Sequence, residues 1–186
     1  MRRRLTPLAN FSSLGSDVQR ARTSWSPWWN LVVNRLAPAV LLAPRVRTVL
    51  LRSAGIQCRS LNVAPGLWVL SDRLTIGVGA FVGWRCVIHN EASVEIGDRA
   101  AIGPEVVLLT TSHEIGRSTR RAGDVVTAPI RIGRGAWIGA RTLVLPGVTI
   151  GDGCVIAAGS VVIGDCDGDA LYAGVPAVRK RSLSEV

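Results

Sequence analysis

The stretch "IGRGAWIGARTLVLPGVTIGDGCVIAAGSV", residues 132–161, places an aliphatic residue at every sixth position: Ile132, Ile138, Val144, Ile150 and Ile156. Gly often follows it, and a small residue stands four places on, at Ala136, Thr142, Val148, Cys154 and Ser160. A helix needs a 3.6-residue period and would lose about 1 kcal/mol at each interior Gly. Short strands that turn at the Gly positions suit the pattern, and a fixed repeat outranks local propensity in deciding a fold.

Upstream, "IGVGAF", "VGWRCV" and "IHNEAS" start at Ile76, Val82 and Ile88. After a two-residue slip, "IGDRAA", "IGPEVV" and "LLTTSH" run from Ile96. Their small positions are Ala80, Cys86, Ala92, Ala100, Val106 and Ser112. The repeat predicts an all-β chain coiled into a triangular prism, its aliphatic residues stacked inward in ladders. Cys86 and Cys154 then fill small interior positions. With Cys58 and Cys166 they form no CxxC pair, which predicts free thiols in a reducing compartment. The 18 residues Glu114–Arg131 carry no repeat, so a loop (about 113–130) leaves the coil just after His113. Loops of that length usually carry function.

Charge divides the chain of 186 residues into two parts. Residues 1–60 hold ten Arg and one acid, Asp17, while the remainder holds twelve bases and twelve acids. The net +9 therefore belongs to a basic, Trp-rich arm with short Pro-broken helices (1–65), ahead of a neutral coil domain (66–186). No apolar run follows "MRRRLTPLAN", which argues against a cleaved secretory signal. The segment 31–51 is interrupted by Asn34, Arg35, Pro38, Pro44, Arg45 and Arg47 and is not expected to span a bilayer. Two readings of the arm stay open: a cap over the end of the coil, and peripheral membrane contact through residues 25–52. Its aromatic residues do not alternate with basic ones, which argues against nucleic acid as a partner.

"WIGARTLVLPGVTIGDGCVIAAGSVV" with "AGVPA" resembles the hexapeptide-repeat acyltransferases over about residues 66–181, in particular the galactoside, maltose, nodulation-factor and colanic-acid O-acetyltransferase branch. The resemblance implies a left-handed parallel β-helix, a handedness that rests on it alone, since the general rule favours right-handed crossovers. It further implies a homotrimer with active sites between subunits, acetyl-CoA as donor, no metal, and a saccharide or similar small hydroxyl acceptor. That enzyme would work in the cytoplasm, with contact at the inner face of the membrane if the arm binds lipid.

On the same resemblance, "TTSHEIG" makes His113 the general base. An imidazole, with an ordinary pKa near 6.5, can take a hydroxyl proton near neutral pH. Asp124 is the expected partner orienting its other nitrogen. Adjacent Glu114 points to the opposite face of an extended chain. Ala140, after "WIG", would supply a backbone N–H to the oxyanion. Ala158 would approach the pantetheine arm of coenzyme A, and Arg179, Lys180 and Arg181 its phosphates; the competing reading of the three is a solvated basic tail. Trp84, His89, Asn90 and Glu91 fall where relatives contact the acceptor. Gly83 departs from the polar residue of the galactoside branch, which places galactoside itself in question as acceptor. "IGDCDGD" (163–169) departs again, adding Asp165, Asp167 and Asp169 where a polyanionic donor should pass. Three alternatives remain: an antibiotic-inactivating acetyltransferase, a non-catalytic scaffold, and a carbonic-anhydrase-like zinc hydratase, which needs three His per metal against the two His of this chain.

Overall fold

The structure, a computed structural model, describes residues 26–183. The chain forms a parallel β-solenoid of five complete turns and a partial sixth, capped by short helices, and it fits a left-handed β-helix. Sheet I contains Gln57–Cys58, Leu74–Ile76, Val94–Ile96, Ile130–Ile132 and Thr149–Ile150. Sheet II contains Asn62–Val63, Phe81–Val82, Ala101–Ile102, Trp137–Ile138, Val155–Ile156 and Ala170–Ala173, with Val178–Ser182 added antiparallel. Sheet III contains Trp68–Val69, Val87–His89, Val107–Leu109, Leu143–Val144 and Val161–Val162.

The sixfold repeat becomes three internal ladders. Cys58, Ile76, Ile96, Ile132, Ile150 and Cys166 stack in sheet I. Val63, Val82, Ile102, Ile138, Ile156 and Tyr172 stack in sheet II. Val69, Ile88, Leu108, Val144 and Val162 complete sheet III. All are buried, and full burial of one such aliphatic side chain contributes roughly 1.5–3 kcal/mol. The small positions Ala80, Cys86, Ala100, Val106, Ala136, Thr142, Val148, Cys154 and Ser160 are buried between the ladders. All four cysteines are free and buried, and burial pushes the Cys86 thiol up to about 11.

The structure corrects two sequence boundaries. The coil begins at Gln57, before residue 66, because Cys58, Val63 and Val69 already supply a first set of rungs without the Gly signature. Ser112 is no interior position: the repeat ends at Leu109, and Thr111–Ile115 pairs with Ala122–Thr127 as an exposed antiparallel hairpin.

The cap lies over the first turn. Helix α1 (Pro27–Leu31) runs into a π-helical turn, Val32–Leu36, and helix α2 spans Pro44–Ser53. Pro stands at the start of both α-helices, where its missing N–H costs nothing. Just past the end of α2, Gly55 has a φ of 96°, which permits the amides of Ile56 and Gly55 to bond the Leu51 and Arg52 carbonyls. Buried Arg47 donates to the carbonyls of Ala37, Val63, Ala39 and Leu42 at 2.8–3.1 Å, tying cap to coil. The Asn34 amide pairs with both backbone groups of Val69 at 2.9 Å, closing the open edge of sheet III.

Candidate functional site

His113 stands on the first strand of the hairpin and is exposed. Its Nδ1 lies 3.0 Å from the Gly123 carbonyl oxygen. A carbonyl can only accept, so Nδ1 carries a proton, and in the neutral ring Nε2 then presents its lone pair. A bulge creates this contact. His113 pairs with Val125 and Ile115 with Ala122, so Gly123 and Asp124 together oppose the single residue Glu114. Gly116 and Gly123 permit the close approach: a Cβ on Gly123 would lie 2.9 Å from the Glu114 carbonyl oxygen. The expectation that Asp124 orients the imidazole is therefore corrected, since the backbone of Gly123 takes that place and Asp124 is exposed.

Ala140 lies on the corner between sheets II and III. There the carbonyls of Trp84, Pro104 and Ala140 accept the amides of Glu105, Arg141 and Gly159 at 2.8–3.0 Å. This hydrogen-bonded column aligns Trp84, Ala140 and Ala158 along one edge of the prism. Gly139 is obligatory beneath it, because a Cβ there would meet the Ala158 nitrogen at 2.4 Å. Trp84 is 51% exposed. Alongside runs an ion-pair ladder in which Glu105 accepts from Arg85 and Arg141, each at 2.6 Å. Arg141, by hydrogen bond and charge, holds the Glu105 carboxyl below the usual carboxylate range.

The expected acceptor residues His89, Asn90 and Glu91 occupy the opposite edge of sheet III, where the hairpin leaves. His89 is half-buried and stacks on Trp68 with ring centroids 6.1 Å apart, and its Nδ1 has no partner among the described residues. Glu91 is exposed. Asn90 corrects its sequence reading. It is fully buried, its Oδ1 accepting from the amides of Leu70 and Ser71 and its Nδ2 donating to the Ser71 carbonyl. Those three bonds, at 3.0–3.2 Å, leave its side chain to a corner of the coil and not to a ligand.

Arg179, Lys180 and Arg181 are not a tail. They lie exposed on the strand Val178–Ser182, paired antiparallel with Ala170–Ala173. The acidic run before them has structural work: Asp165 accepts the Thr149 amide at 2.7 Å, and Asp167 approaches the Tyr172 hydroxyl at 3.3 Å and Arg179 at 3.9 Å. A depression of about 420 Å³ lies over sheet I, lined by Thr75, Glu95, Arg131 and the Arg134–Asp152 pair, and none of the expected site residues borders it. Among the described residues no group of three or more His, Cys, Asp or Glu is arranged to hold a metal ion.

One protomer thus splits the expected residues over two edges, with Trp84, Ala140 and Ala158 on one and His89, Glu91 and His113 on the other. The Gly123 carbonyl had no side-chain signal in the sequence; the paired glycines of the loop were the one available hint.

Residues 129–164 match the family model "Bacterial transferase hexapeptide (six repeats)", and residues 73–109 match "Hexapeptide repeat of succinyl-transferase". The chain is 35% identical over 121 residues to the galactoside O-acetyltransferase of Escherichia coli K12, a match covering 65% of this chain and 60% of that protein. It spans about half the length of the sequence relatives it matches, from 60% down to 42% among the galactoside O-acetyltransferase, a putative acetyltransferase of Schizosaccharomyces pombe and a rhizobial nodulation protein L. The hexapeptide-repeat acetyltransferase VCA0836 of Vibrio cholerae O1 biovar eltor, solved with acetyl coenzyme A, superposes with a TM-score of 0.75 at 31% identity, covering 88% of this chain and 87% of that one. A galactoside acetyltransferase solved with coenzyme A gives 0.72 at 28% identity, covering 91% and 86%.

Proposed function

This chain belongs to the hexapeptide-repeat acetyltransferase family, and from that premise we propose that it moves an acetyl group from acetyl-CoA to a hydroxyl of a saccharide or similar small acceptor. The observation that carries the reading is the 3.0 Å contact between His113 Nδ1 and the Gly123 carbonyl. It fixes the tautomer in which Nε2 can accept a proton. His113 Nε2 takes the hydroxyl proton as the acceptor oxygen attacks the thioester carbon. The Ala140 N–H donates to the carbonyl oxygen as charge builds there. The C–S bond then breaks, and the proton held on His113 passes to the departing thiolate, which restores the base.

The donor is read along the Trp84–Ala140–Ala158 edge, with the Ala158 backbone beside its pantetheine arm and Arg179, Lys180 and Arg181 meeting its phosphates. Trp84, His89 and Glu91 line the acceptor side. Because one chain carries the two halves on opposite edges of sheet III, the site is completed between copies, in a trimer. Two outer faces support such an assembly. Sheet II presents Phe81, Ala101, Trp137, Val155 and Leu171 outward, and sheet III presents Trp68, Val87, Val107, Leu143 and Val161. Sheet I instead presents Gln57, Thr75, Glu95, Arg131 and Thr149. The enzyme is assigned to the cytoplasm, where its donor is made.

Calorimetric titration with acetyl-CoA should saturate at about one site per chain. Release of coenzyme A thiol should then rise when maltose, galactosides or other saccharides are supplied. Absence of binding up to millimolar acetyl-CoA would overturn the reading.

A further inference from the structure

The cap carries a surface for which the coil's chemistry has no use. Trp28 is 76% exposed, Val40 69% and Leu41 99%, and Leu31, Leu36, Val46 and Val49 are exposed around them. Seven exposed large apolar residues on so short a cap are a concentration of the kind that marks an interaction site. On α2 the exposed positions include Arg45, Val46, Val49 and Arg52, spaced i, i+1, i+4 and i+7, which is one helix face. Arg47, Thr48 and Leu51 occupy the inner face and are buried. The outer face thus sets two valines between two arginines.

Charge chooses the partner. From residue 18 to residue 71 the sequence holds seven Arg and no Asp or Glu. Arg47 is consumed by backbone carbonyls inside the cap, whereas Arg35, Arg45 and Arg52 are exposed, Arg52 giving only its Nε–H to the Cys58 carbonyl. One acid, Asp72, reaches the cap beside Gly55, just past the end of α2; a second copy of this surface would still set Arg35, Arg45 and Arg52 against the same three arginines. An anionic bilayer answers both features, because apolar side chains enter the acyl boundary while guanidinium groups meet headgroup phosphates. No helix among the described residues is long and apolar enough to cross a membrane, so the contact is peripheral.

We propose that residues 28–52 dock this protein on an anionic lipid bilayer, with Trp28, Val40 and Leu41 in the interface and Arg35, Arg45 and Arg52 on the phosphates. Docking would present the transferase to acceptors carried at that surface, such as lipid-linked saccharides. The cap sits over the first turn, at one end of the prism. A closed ring built on the long faces of sheets II and III sets every cap at the same end. Three patches then face one plane, and each bound patch raises the effective concentration of the next. Only this reinforcement rests on the trimer proposed above; the patch belongs to a single chain.

The test is co-sedimentation of the full chain with phosphatidylcholine vesicles, with and without phosphatidylglycerol. Binding is expected to the mixed vesicles at low salt, to fall steeply as salt screens the arginines, and to be negligible on phosphatidylcholine alone. The double variant Val40→Asp, Leu41→Asp changes side chains already in water, so it should fold, and it should lose about tenfold or more of the binding. Arg45→Glu with Arg52→Glu should lose a comparable amount. Wild-type protein that ignores anionic vesicles at low salt, or Asp variants that bind as well as wild type, would overturn the proposal. So would a higher assembly of the wild type that dissolves in the Asp double variant, since a second copy would then cover the patch. Acetyl-CoA titration of the same proteins separates the two readings. Variants that lose vesicles but keep acetyl-CoA support docking, whereas wild type that binds vesicles but not acetyl-CoA sinks the transferase reading alone.

Discussion

Between sheets II and III every turn takes six residues from one rung to the next, from Val63–Val69 through to Ile156–Val162. Between sheets III and I the steps are Val69 to Ile76, Ile88 to Ile96, Leu108 to Ile132, Val144 to Ile150 and Val162 to Cys166, no two of the same length. The first corner is held by a backbone column through Trp84, Pro104 and Ala140, to which Cys86, Thr142 and Ser160 add side-chain bonds to the Gly103, Gly139 and Ala157 carbonyls. The second recruits side chains: Asn90 for Leu70 and Ser71, Thr110 for Ala92, Asp165 for Thr149. A buried polar backbone group must be paired one way or the other. The difference teaches where this fold can vary. A fixed step holds a backbone N–H such as that of Ala140 in register, whereas a variable step lets a hairpin leave the coil with His113 on it.

The comparison can be attacked from both sides. On the regular side, Ile138→Ala removes a fully buried rung from the sheet II ladder. It should cost about 2–5 kcal/mol in urea denaturation, and a loss well under 1 kcal/mol would mean that the ladders do not carry the stability. On the variable side, Asn90→Ala should cost about 1–3 kcal/mol, because it strips three bonds from buried backbone. Acceptor KM should stay constant in that variant; a raised KM at unchanged stability would return Asn90 to the acceptor site. Asp124→Ala should change turnover by less than about threefold, far below the 10²–10⁴-fold typical of an acid–base group, and a larger fall would reinstate the carboxylate over the Gly123 carbonyl.

The smallest effect belongs to Glu105. Its folded pKa is depressed by Arg141 and Arg85, so its contribution exists above the ordinary carboxylate pKa and is lost as pH falls through the folded value. Glu105→Gln should therefore lower Tm slightly at pH 7, less so in high salt, and the difference should vanish once acid has protonated the carboxyl. A difference persisting in acid would show that the ion pairs are not its source.

The sequence made the coil legible because Gly and aliphatic residues at a six-residue period have no other economical structure. The place of His113 on an extruded hairpin was legible for the converse reason, since it stands where the period stops. The first turn escaped notice because Cys58 and Val63 mark rungs without Gly. Asn90 was misread because the two-residue slip after Ile88 turns inward a position that a regular unit would leave outside. The Gly123 carbonyl could not be read at all, since a bulge is a property of strand pairing and leaves no side-chain signature. Arg179–Arg181 resembled a tail because the strand that pairs with them, Ala170–Ala173, follows the irregular run 163–169.

The central claim is that the variable edge carries the proton-transfer group and the regular edge the donor. His113→Ala tests it most directly, with acetyl-CoA affinity and acceptor-dependent thiol release measured on the same protein. Affinity within about twofold of wild type and thiol release lowered by 10²–10⁴-fold is the predicted result. Unchanged thiol release would contradict the account and leave His113 a surface residue of the hairpin.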